Sequence, residues 1–226
     1  MQIHCLQHAN FEGPGFIKIW AESKGHQLMT THLYKGGKLP NPEHIDLLVI
    51  MGGPMGVYDE VDFPWLKKEK EYVAQAIQSG KKIIGICLGA QLLAHVLGAD
   101  VRRSEYSEIG WFPVLQRENH SLLVGIPPQF YAFHWHSDMF DIPSEAVPVF
   151  KSAGCPNQGF IYKNQVAGFQ FHFETTPESI TAMLDNENID SYEEQFIQSS
   201  SDIYKHSHYC LQLNSYLEKI LDRLIG

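Results

Sequence analysis

A cysteine flanked by glycines carries the clearest chemical signal in the sequence. Cys87 lies in the segment Gly-Ile-Cys-Leu-Gly, between an apolar run typical of a strand and a stretch with helical spacing. This pattern is typical of a nucleophile elbow, a strand-to-helix turn so tight that side chains other than glycine would clash two residues before and after the nucleophile. A cysteine there projects at a helix N-terminus, whose dipole favours the thiolate. We therefore expect Cys87 to be a nucleophile rather than a core thiol.

A histidine and an acid two residues apart are candidates for the base that such a nucleophile needs. His172 and Glu174 lie in Gly-Phe-Gln-Phe-His-Phe-Glu, and on an extended segment their side chains point to the same side. His172 is placed to take the thiol proton and return it to a leaving amine, while Glu174 orients the imidazole. A lone His-x-Glu is more often a surface ion pair, but its position at a strand end, before a predicted helix start, favours a site.

Paired glycines provide a candidate oxyanion hole. Gly52 and Gly53 follow an apolar strand directly and precede Pro54, which has no N–H of its own. Their N–H groups are free to face a developing negative charge together with that of Leu88, the residue after Cys87. By itself Gly-Gly-Pro predicts only a turn, and its functional interpretation depends on the elbow.

The elements that must position these residues follow an α/β pattern. Short apolar runs predict strands over residues 1–6, 27–31, 46–51 and 81–86. Amphipathic stretches predict helices over residues 15–24, 64–79 and 88–97. The last two strands are nearly continuous in Val, Ile and Leu, as in a parallel sheet that is buried on both faces. We expect a mostly parallel central sheet flanked by helices, with right-handed crossovers.

After residue 110 the pattern changes to short, β-rich segments. Pro and Gly punctuate predicted strands over residues 111–115, 129–136, 147–151, 159–162 and 165–171, which predict an antiparallel portion added to one edge of the sheet. Pro177, preceded by Thr175 and Thr176, marks a helix start. Residues 185–201 are polar and poorly patterned. A helical apolar stripe follows and is expected to pack on the core; it comprises Leu213, Leu217, Ile220, Leu221 and Leu224.

Composition and charge disfavour several classes of function. The 226 residues include 17 basic and 26 acidic side chains, and the net charge of −9 argues against a partner made of nucleic acid or an anionic membrane surface. No apolar run approaches the ~18 residues of a membrane span, and no secretory signal is recognised, so a cytoplasmic location is expected. The four cysteines form no C-x-x-C pair, which argues against a disulfide framework or a zinc ribbon.

No metal or other cofactor is predicted. His134 and His136 lie two apart on a predicted strand, and together with His172 they could imitate a metal site. A third ligand at a useful spacing is missing, so the two histidines are interpreted as structural.

Three motifs in this order resemble the class I, or triad, glutamine amidotransferases. They are Gly-Gly-Pro after the third strand, Gly-Ile-Cys-Leu-Gly-Ala-Gln at the elbow, and Gln-Phe-His-x-Glu near the end. Segments 51–58, 64–66, 108–111 and 136–143 are similar to stand-alone proteins that resemble the amidotransferase domain of GMP synthase. The resemblance covers roughly residues 1–185 and implies a flavodoxin-like sheet. We therefore expect a single amidotransferase-like domain over residues 1–226, in which 186–226 form a C-terminal helical extension.

The resemblance also implies a role for each matching residue. Cys87 would be the nucleophile, His172 the base and acid, and Glu174 its orienting carboxylate. The N–H groups of Gly53 and Leu88 would form the oxyanion hole. The residues that would contact the substrate are Gly52, Gln91, Ser137 and Asp138. The implied reaction is thiolate attack on the side-chain amide of glutamine, release of ammonia, and hydrolysis of a γ-glutamyl thioester.

One departure from the family pattern and one absent motif leave alternatives open. The residue between His172 and Glu174 is Phe173, where these amidotransferases usually have proline. The chain also lacks a Ser-Gly-Gly-x-Asp pyrophosphate loop and a P-loop, so it cannot itself adenylate an acceptor by those routes. Ammonia would pass to a separate synthetase subunit, or the chain would act alone as a γ-glutamyl peptide hydrolase. A non-catalytic binding module is less favoured, because a silent site has no need of an intact triad.

Overall fold

A nine-stranded mixed sheet runs through the chain, described here from a computed structural model that covers residues 1–226. The strands are β1 (Gln2–Gln7), β2 (Gln27–His32), β3 (Leu47–Ile50), β4 (Lys82–Ile86), β5 (Val101–Gln116), β6 (Gln129–Phe140), β7 (Ala146–Lys151), β8 (Gly159–Tyr162) and β9 (Val166–Phe169). The helices are α1 (Phe16–Ser23), α2 (Trp65–Gln78), α3 (Leu88–Val96), α4 (Pro177–Asn186), α5 (Ser200–Lys205) and α6 (Tyr209–Ile225). Single 3-10 turns occupy Leu33–Lys35, Pro42–His44, Ser121–Leu123 and Ile189–Ser191.

The sheet is parallel in one half and antiparallel in the other. Its strand order is β2-β1-β3-β4-β9-β8-β7-β5-β6. Every pairing from β2 to β9 is parallel, and every pairing from β9 to β6 is antiparallel. The predicted α/β class, with an antiparallel portion added to a parallel sheet, is confirmed.

Helices cover both faces of the sheet because the central strands are apolar on both. In β3, Leu47 and Val49 face one core cluster while Leu48 and Ile50 face the other, which is the period-two alternation of a strand. Helices α1 and α6 pack on the first cluster, and α2 and α3 pack on the second. All five members of the predicted C-terminal stripe are buried on the first cluster. No helix of the structure combines the length and the apolar character that a membrane crossing requires.

Predicted and observed boundaries agree to within one residue in the first four strands and first three helices. The difference is in β5, which begins at Val101 rather than at residue 111, and in β6, which runs on to Phe140. These extra segments pair with each other beyond an irregularity between Arg103 and Glu108. The added part of β5 has exposed polar side chains, so it lacks the apolar run by which the other strands are recognised.

The start of α4 agrees with its sequence signal. The Thr176 side chain accepts a hydrogen bond from the Ser179 backbone, the Ser179 side chain accepts one from the Thr176 backbone, and Pro177 is the first helical residue. This capped start lies two residues after Glu174, and Met183 and Asn186 of α4 line the same cavity as Cys87, the residue that follows β4.

Candidate active site

The turn from β4 into α3 has the strained geometry that the sequence predicts. Cys87 has φ 51° and ψ −110°, in a region that residues with a side chain rarely adopt. A Cβ atom at Gly89 would lie 2.1 Å from the backbone oxygen of Ile50, and one at Gly85 would lie 2.6 Å from the backbone of Gly89. The first turn of α3 therefore packs so closely on β3 and β4 that glycine is required on both sides of Cys87.

His172 and Glu174 reach the elbow because β9 lies beside β4 in the sheet. The Cys87 amide donates a 2.8 Å hydrogen bond to the backbone oxygen of Phe169, the last residue of β9. Five residues after that, Glu174 Oε1 lies 2.8 Å from His172 Nδ1, and both side chains are buried. The His172 amide also donates to the Phe133 backbone oxygen, at 2.8 Å, which ties the segment to β6. The structure thus brings Cys87, His172 and Glu174 together.

The electrostatics of this group favour a protonated imidazole. Burial alone would lower the pKa of His172, but Glu174 and the neighbouring Cys87 outweigh it and hold that pKa well above its ordinary value. His172 Nε2, the atom that remains after Nδ1 has bonded to Glu174, is buried and has no hydrogen-bond partner. It is free to exchange a proton with the thiol or with a substrate nitrogen.

Burial of Cys87 exceeds what the elbow pattern suggests. A nucleophile must be accessible to its substrate, yet Cys87 is only 7% exposed and reaches solvent through a cavity. Burial raises the pKa of Cys87, and the adjacent His172 opposes that rise. Burial raises the pKa of each of the other thiols to about 12; they are Cys5, Cys155 and Cys210. Of the four, Cys87 alone lines the cavity and has an imidazole beside it.

Two backbone amides without a partner in a helix or strand lie near Cys87, those of Gly53 and Leu88. Gly53 lies in the loop after β3, lines the cavity and donates its N–H to no acceptor in the chain. Leu88 is the first residue of α3, so its N–H has no partner within the helix. Both amides are available to a negatively charged oxygen, and at Leu88 the positive end of the helix dipole adds to the effect.

A buried ion pair that the sequence does not predict supports the Gly52–Gly53 loop. His8 follows β1 directly; its Nδ1 lies 3.1 Å from the Gly52 carbonyl oxygen and its Nε2 lies 2.8 Å from Oε1 of Glu69 on α2. Burial lowers the pKa of His8, but Glu69 and the Gly52 carbonyl raise it above the ordinary value overall. No sequence pattern links His8 to Glu69, because only the packing of α2 on the sheet brings them together.

Two glutamine side chains connect α3 to the nucleophile. Gln91 lines the cavity, but its Nε2 donates to Gln170 Oε1 at 3.1 Å. Gln170 is fully buried, and its Nε2 lies 3.6 Å from the Cys87 sulfur. Gln170 is therefore placed to fix both Gln91 and the thiol. Its position two residues before His172 was the only available signal for it.

The cavity beside Cys87 has a volume of ≈ 430 Å³, within the range that holds small-molecule ligands. Ser137 and Asp138 of β6 line it, as does Arg103 of β5, the one lysine or arginine in its wall. Arg103 lies 3.8 Å from the Asp138 carboxylate. This combination of a cation, a carboxylate and a hydroxyl is suited to an amino-acid zwitterion.

Glu12, in the loop between β1 and α1, is a second carboxylate near His172. It is 9% exposed, lines the cavity and makes no hydrogen bond within the chain. A Cβ atom at Gly52 would lie 2.1 Å from Glu12 Oε2 and 3.3 Å from His172 Cε1. Gly52 therefore does not line the cavity itself; its missing side chain leaves the space that the Glu12 carboxylate occupies. Burial raises the pKa of Glu12, and His172 partly opposes that rise.

Glu108 lies beside His134 and His136 in a buried cluster. It is the third possible metal ligand, which the sequence spacing does not reveal. Glu108 Oε2 lies 3.2 Å from His136 Nε2 and 3.8 Å from His134 Nδ1. The same oxygen accepts a 2.6 Å hydrogen bond from Gln158 and a 2.9 Å bond from Ser152. All four contacts fall on this one oxygen, whereas Oε1 of Glu108 is buried and has no hydrogen-bond partner. Because His136 immediately precedes Ser137, this network holds the stretch of β6 that lines the cavity.

Comparison with known proteins identifies a family and several relatives. A family model described as Glutamine amidotransferase class-I matches residues 24–191. A glutamine amidotransferase-like protein of Salmonella typhimurium is 33% identical over 99% of this chain and 97% of its own length. The GMP synthase of Aeropyrum pernix is 35% identical over 56% of this chain, but that match spans only 24% of the synthase.

A solved structure extends the likeness to the whole fold. The crystal structure of a glutamine amidotransferase from Thermotoga maritima has a TM-score of 0.92 and 29% sequence identity, and the alignment covers 100% of this chain and 98% of that one. The match includes the C-terminal residues that lie beyond the family model.

Proposed function

The chain belongs to the class I glutamine amidotransferase family, and on this premise we propose that it hydrolyses γ-glutamyl amides through Cys87, with glutamine as the reference substrate. In this proposal Cys87 is the nucleophile, His172 is the base and acid, and Glu174 orients the imidazole. The amides of Gly53 and Leu88 stabilise the oxyanion.

One observation carries the proposal: a single imidazole joins a carboxylate to a strained, cavity-lining cysteine. His172 Nδ1 is committed to Glu174 Oε1 at 2.8 Å, so Nε2 alone is left for the thiol and for a leaving nitrogen. A hydrogen bond of this kind sets the tautomer and stabilises the cation that forms when the thiol loses its proton. A merely structural cysteine would not need either feature.

The steps follow from this arrangement. The thiol proton of Cys87 is held on His172 Nε2, so the sulfur attacks the amide carbon as a thiolate, and the oxygen of that carbon is received by the two backbone amides. The carbon–nitrogen bond breaks as His172 returns the proton to the leaving nitrogen, which departs as ammonia or an amine. Water, deprotonated by His172, then cleaves the thioester and yields glutamate.

The amino-acid end of the substrate would lie along β6. Ser137, Asp138 and Arg103 line that side of the cavity, and Gln91 extends from α3. In this proposal they hold the α-amino and α-carboxyl groups, which leaves the side-chain amide to meet the sulfur. A separate synthetase subunit is a candidate acceptor of the ammonia, because the match to GMP synthase covers about a quarter of that protein.

The test is release of glutamate and ammonia from glutamine by the purified chain. Cys87→Ala is expected to lower the rate by about 10⁴-fold or more, because loss of a triad nucleophile removes the covalent route. Cys155→Ala, which removes a buried thiol outside the cavity, is the matched control and should retain activity. Equal rates for wild type and a folded Cys87→Ala protein would reject the proposal.

A further inference from the structure

Glu12 is a largely buried carboxylate that makes no hydrogen bond within the chain. It is 9% exposed and lies on the wall of the cavity that contains Cys87. Burying a carboxylate without a partner costs free energy, so such a group is expected to meet a donor or a cation in the functional complex. In the proposed triad Glu174 already orients His172, so the triad leaves no role for a second carboxylate.

The position of Glu12 relates it to the leaving group rather than to the glutamyl group. Glu12 Oε2 and His172 Cε1 both contact the same point, the space above Gly52. Cε1 is bonded to Nε2, the atom that delivers a proton to the leaving nitrogen. A substituent on that nitrogen therefore extends within reach of Glu12, while the zwitterion of the glutamyl group lies toward β6.

Two imidazoles lie near Glu12, those of His172 and His8, but each is already bonded to another carboxylate, Glu174 or Glu69. Glu187, at the end of α4, also lines the cavity, although its two oxygens accept hydrogen bonds from Trp135 and Tyr192. The one arginine in the wall, Arg103, lies beside Asp138. The group beside His172 that is free to bind a ligand is therefore the Glu12 carboxylate, which favours a cationic ligand.

We propose that the amide cleaved at Cys87 carries a positively charged group on its leaving amine, as in a γ-glutamylated diamine, and that Glu12 binds that cation. This inference rests on the proposed thioester chemistry and specifies its substrate class. Glutamine itself, whose leaving group is ammonia, would leave Glu12 without a bound cation in the ground state.

The reaction balances without any further reactant. The bond between the γ-carbon and the amine nitrogen breaks, the γ-carbon–sulfur bond forms, and the proton that His172 took from the thiol passes to the nitrogen. The released diamine keeps its distal ammonium on Glu12 until it leaves. One water then converts the thioester to glutamate and restores the thiol.

A charge series of substrates tests the inference. The probes are glutamine and the γ-glutamyl amides of 1,4-diaminobutane, n-butylamine and 4-aminobutyrate. The leaving groups of the three amides each have four carbons and differ in the charge at the far end. Wild-type kcat/KM is expected to be highest for the diaminobutane amide, at least about tenfold above the butylamide, and lowest for the 4-aminobutyrate amide. A charged hydrogen bond to Glu12 is the reason for that difference.

Variants separate the contribution of Glu12 from general effects. Glu12→Gln should reduce the ratio of kcat/KM between the diaminobutane amide and the butylamide to near one. Glu71→Gln, which removes an exposed carboxylate on α2 outside the cavity, should leave that ratio unchanged. As an independent readout, 1,4-diaminobutane should inhibit the wild type more strongly than n-butylamine, and Glu12→Gln should lose the difference.

The possible failures are distinguishable. Equal rates for the cationic and neutral amides, a preference for glutamine or the 4-aminobutyrate amide, or an unchanged ratio in a folded Glu12→Gln protein would overturn the assignment of Glu12 while leaving the thioester chemistry intact. Absence of Cys87-dependent hydrolysis with all four substrates would instead reject the proposed function.

Discussion

His172 and Glu174 share a hydrogen bond of 2.8 Å while the residue between them, Phe173, points into the core. Phe173 stacks on Phe130 with ring centroids 5.7 Å apart and is fully buried. The alternation of polar and aromatic residues along residues 170–174 thus anchors one face in the core and directs the other to the site. Phenylalanine at this position, in place of the usual proline, is compatible with the pairing of the two polar side chains.

This pairing predicts unequal losses when its two members are changed. His172→Asn should lower kcat by about 10³-fold or more, because no other group carries the proton. Glu174→Gln should lower it less, because a correctly placed imidazole retains partial function. Since Glu174 raises the pKa of His172, Glu174→Gln should also move the alkaline limb of the pH–rate profile to lower pH. A loss at Glu174 equal to that at His172, or an unshifted profile, would contradict this assignment.

The four cysteines predict selective labelling. A limiting amount of a diazoketone analogue of glutamine should modify Cys87 first and abolish activity in proportion, because the other three thiols are at most 2% exposed and burial raises their pKa to about 12. Glutamine should slow the labelling by occupying the cavity. Peptide mapping after partial inactivation is the measurement, and a label found mainly on Cys155 or Cys210 would refute the assignment.

The His8–Glu69 pair predicts a pH-dependent contribution to stability. Because the folded-state pKa of His8 is raised, the pair stabilises fully below the unfolded pKa of about 6.5 and loses this contribution as the pH rises through the folded pKa. Glu69→Gln should therefore lower the free energy of unfolding by about 3 kcal/mol near pH 6 and by less at pH 9.

Denaturant unfolding at both pH values measures this difference. Glu71→Gln, an exposed change on the same helix, serves as the control and should have an effect within about 0.5 kcal/mol at either pH. A destabilisation by Glu69→Gln that does not vary with pH would mean that His8 is not protonated in the pair.

The elbow predicts that Gly89 tolerates no side chain. Gly89→Ala should destabilise the fold by about 1–3 kcal/mol or more, because the added carbon meets the Ile50 backbone at 2.1 Å and backbone cannot move aside cheaply. Gly13→Ala, whose added carbon has only a 3.8 Å contact with a side chain, is the matched control. Similar unfolding free energies for the two variants would show that the turn relaxes more easily than its geometry implies.

Much of the fold was predictable because its signals are local. The apolar runs of β3 and β4, the helical spacing of α2 and the Thr176–Pro177 start of α4 each depend on neighbouring residues alone. The part of β5 from Val101 onward was missed for the converse reason. Its pairing with β6 holds it in the sheet while most of its own side chains are polar.

For the site, local spacing determined which residues could do chemistry, and the tertiary structure decided what surrounds them. The glycines around Cys87 and the two-residue spacing of His172 and Glu174 are patterns that a chain shows by itself, because strand and turn geometry constrains near neighbours. Glu12, His8–Glu69 and Glu108 with His136 have no such pattern. The groups near each of these side chains come from different elements, and only the crossing of strands and helices in a common core brings them within hydrogen-bonding or electrostatic range.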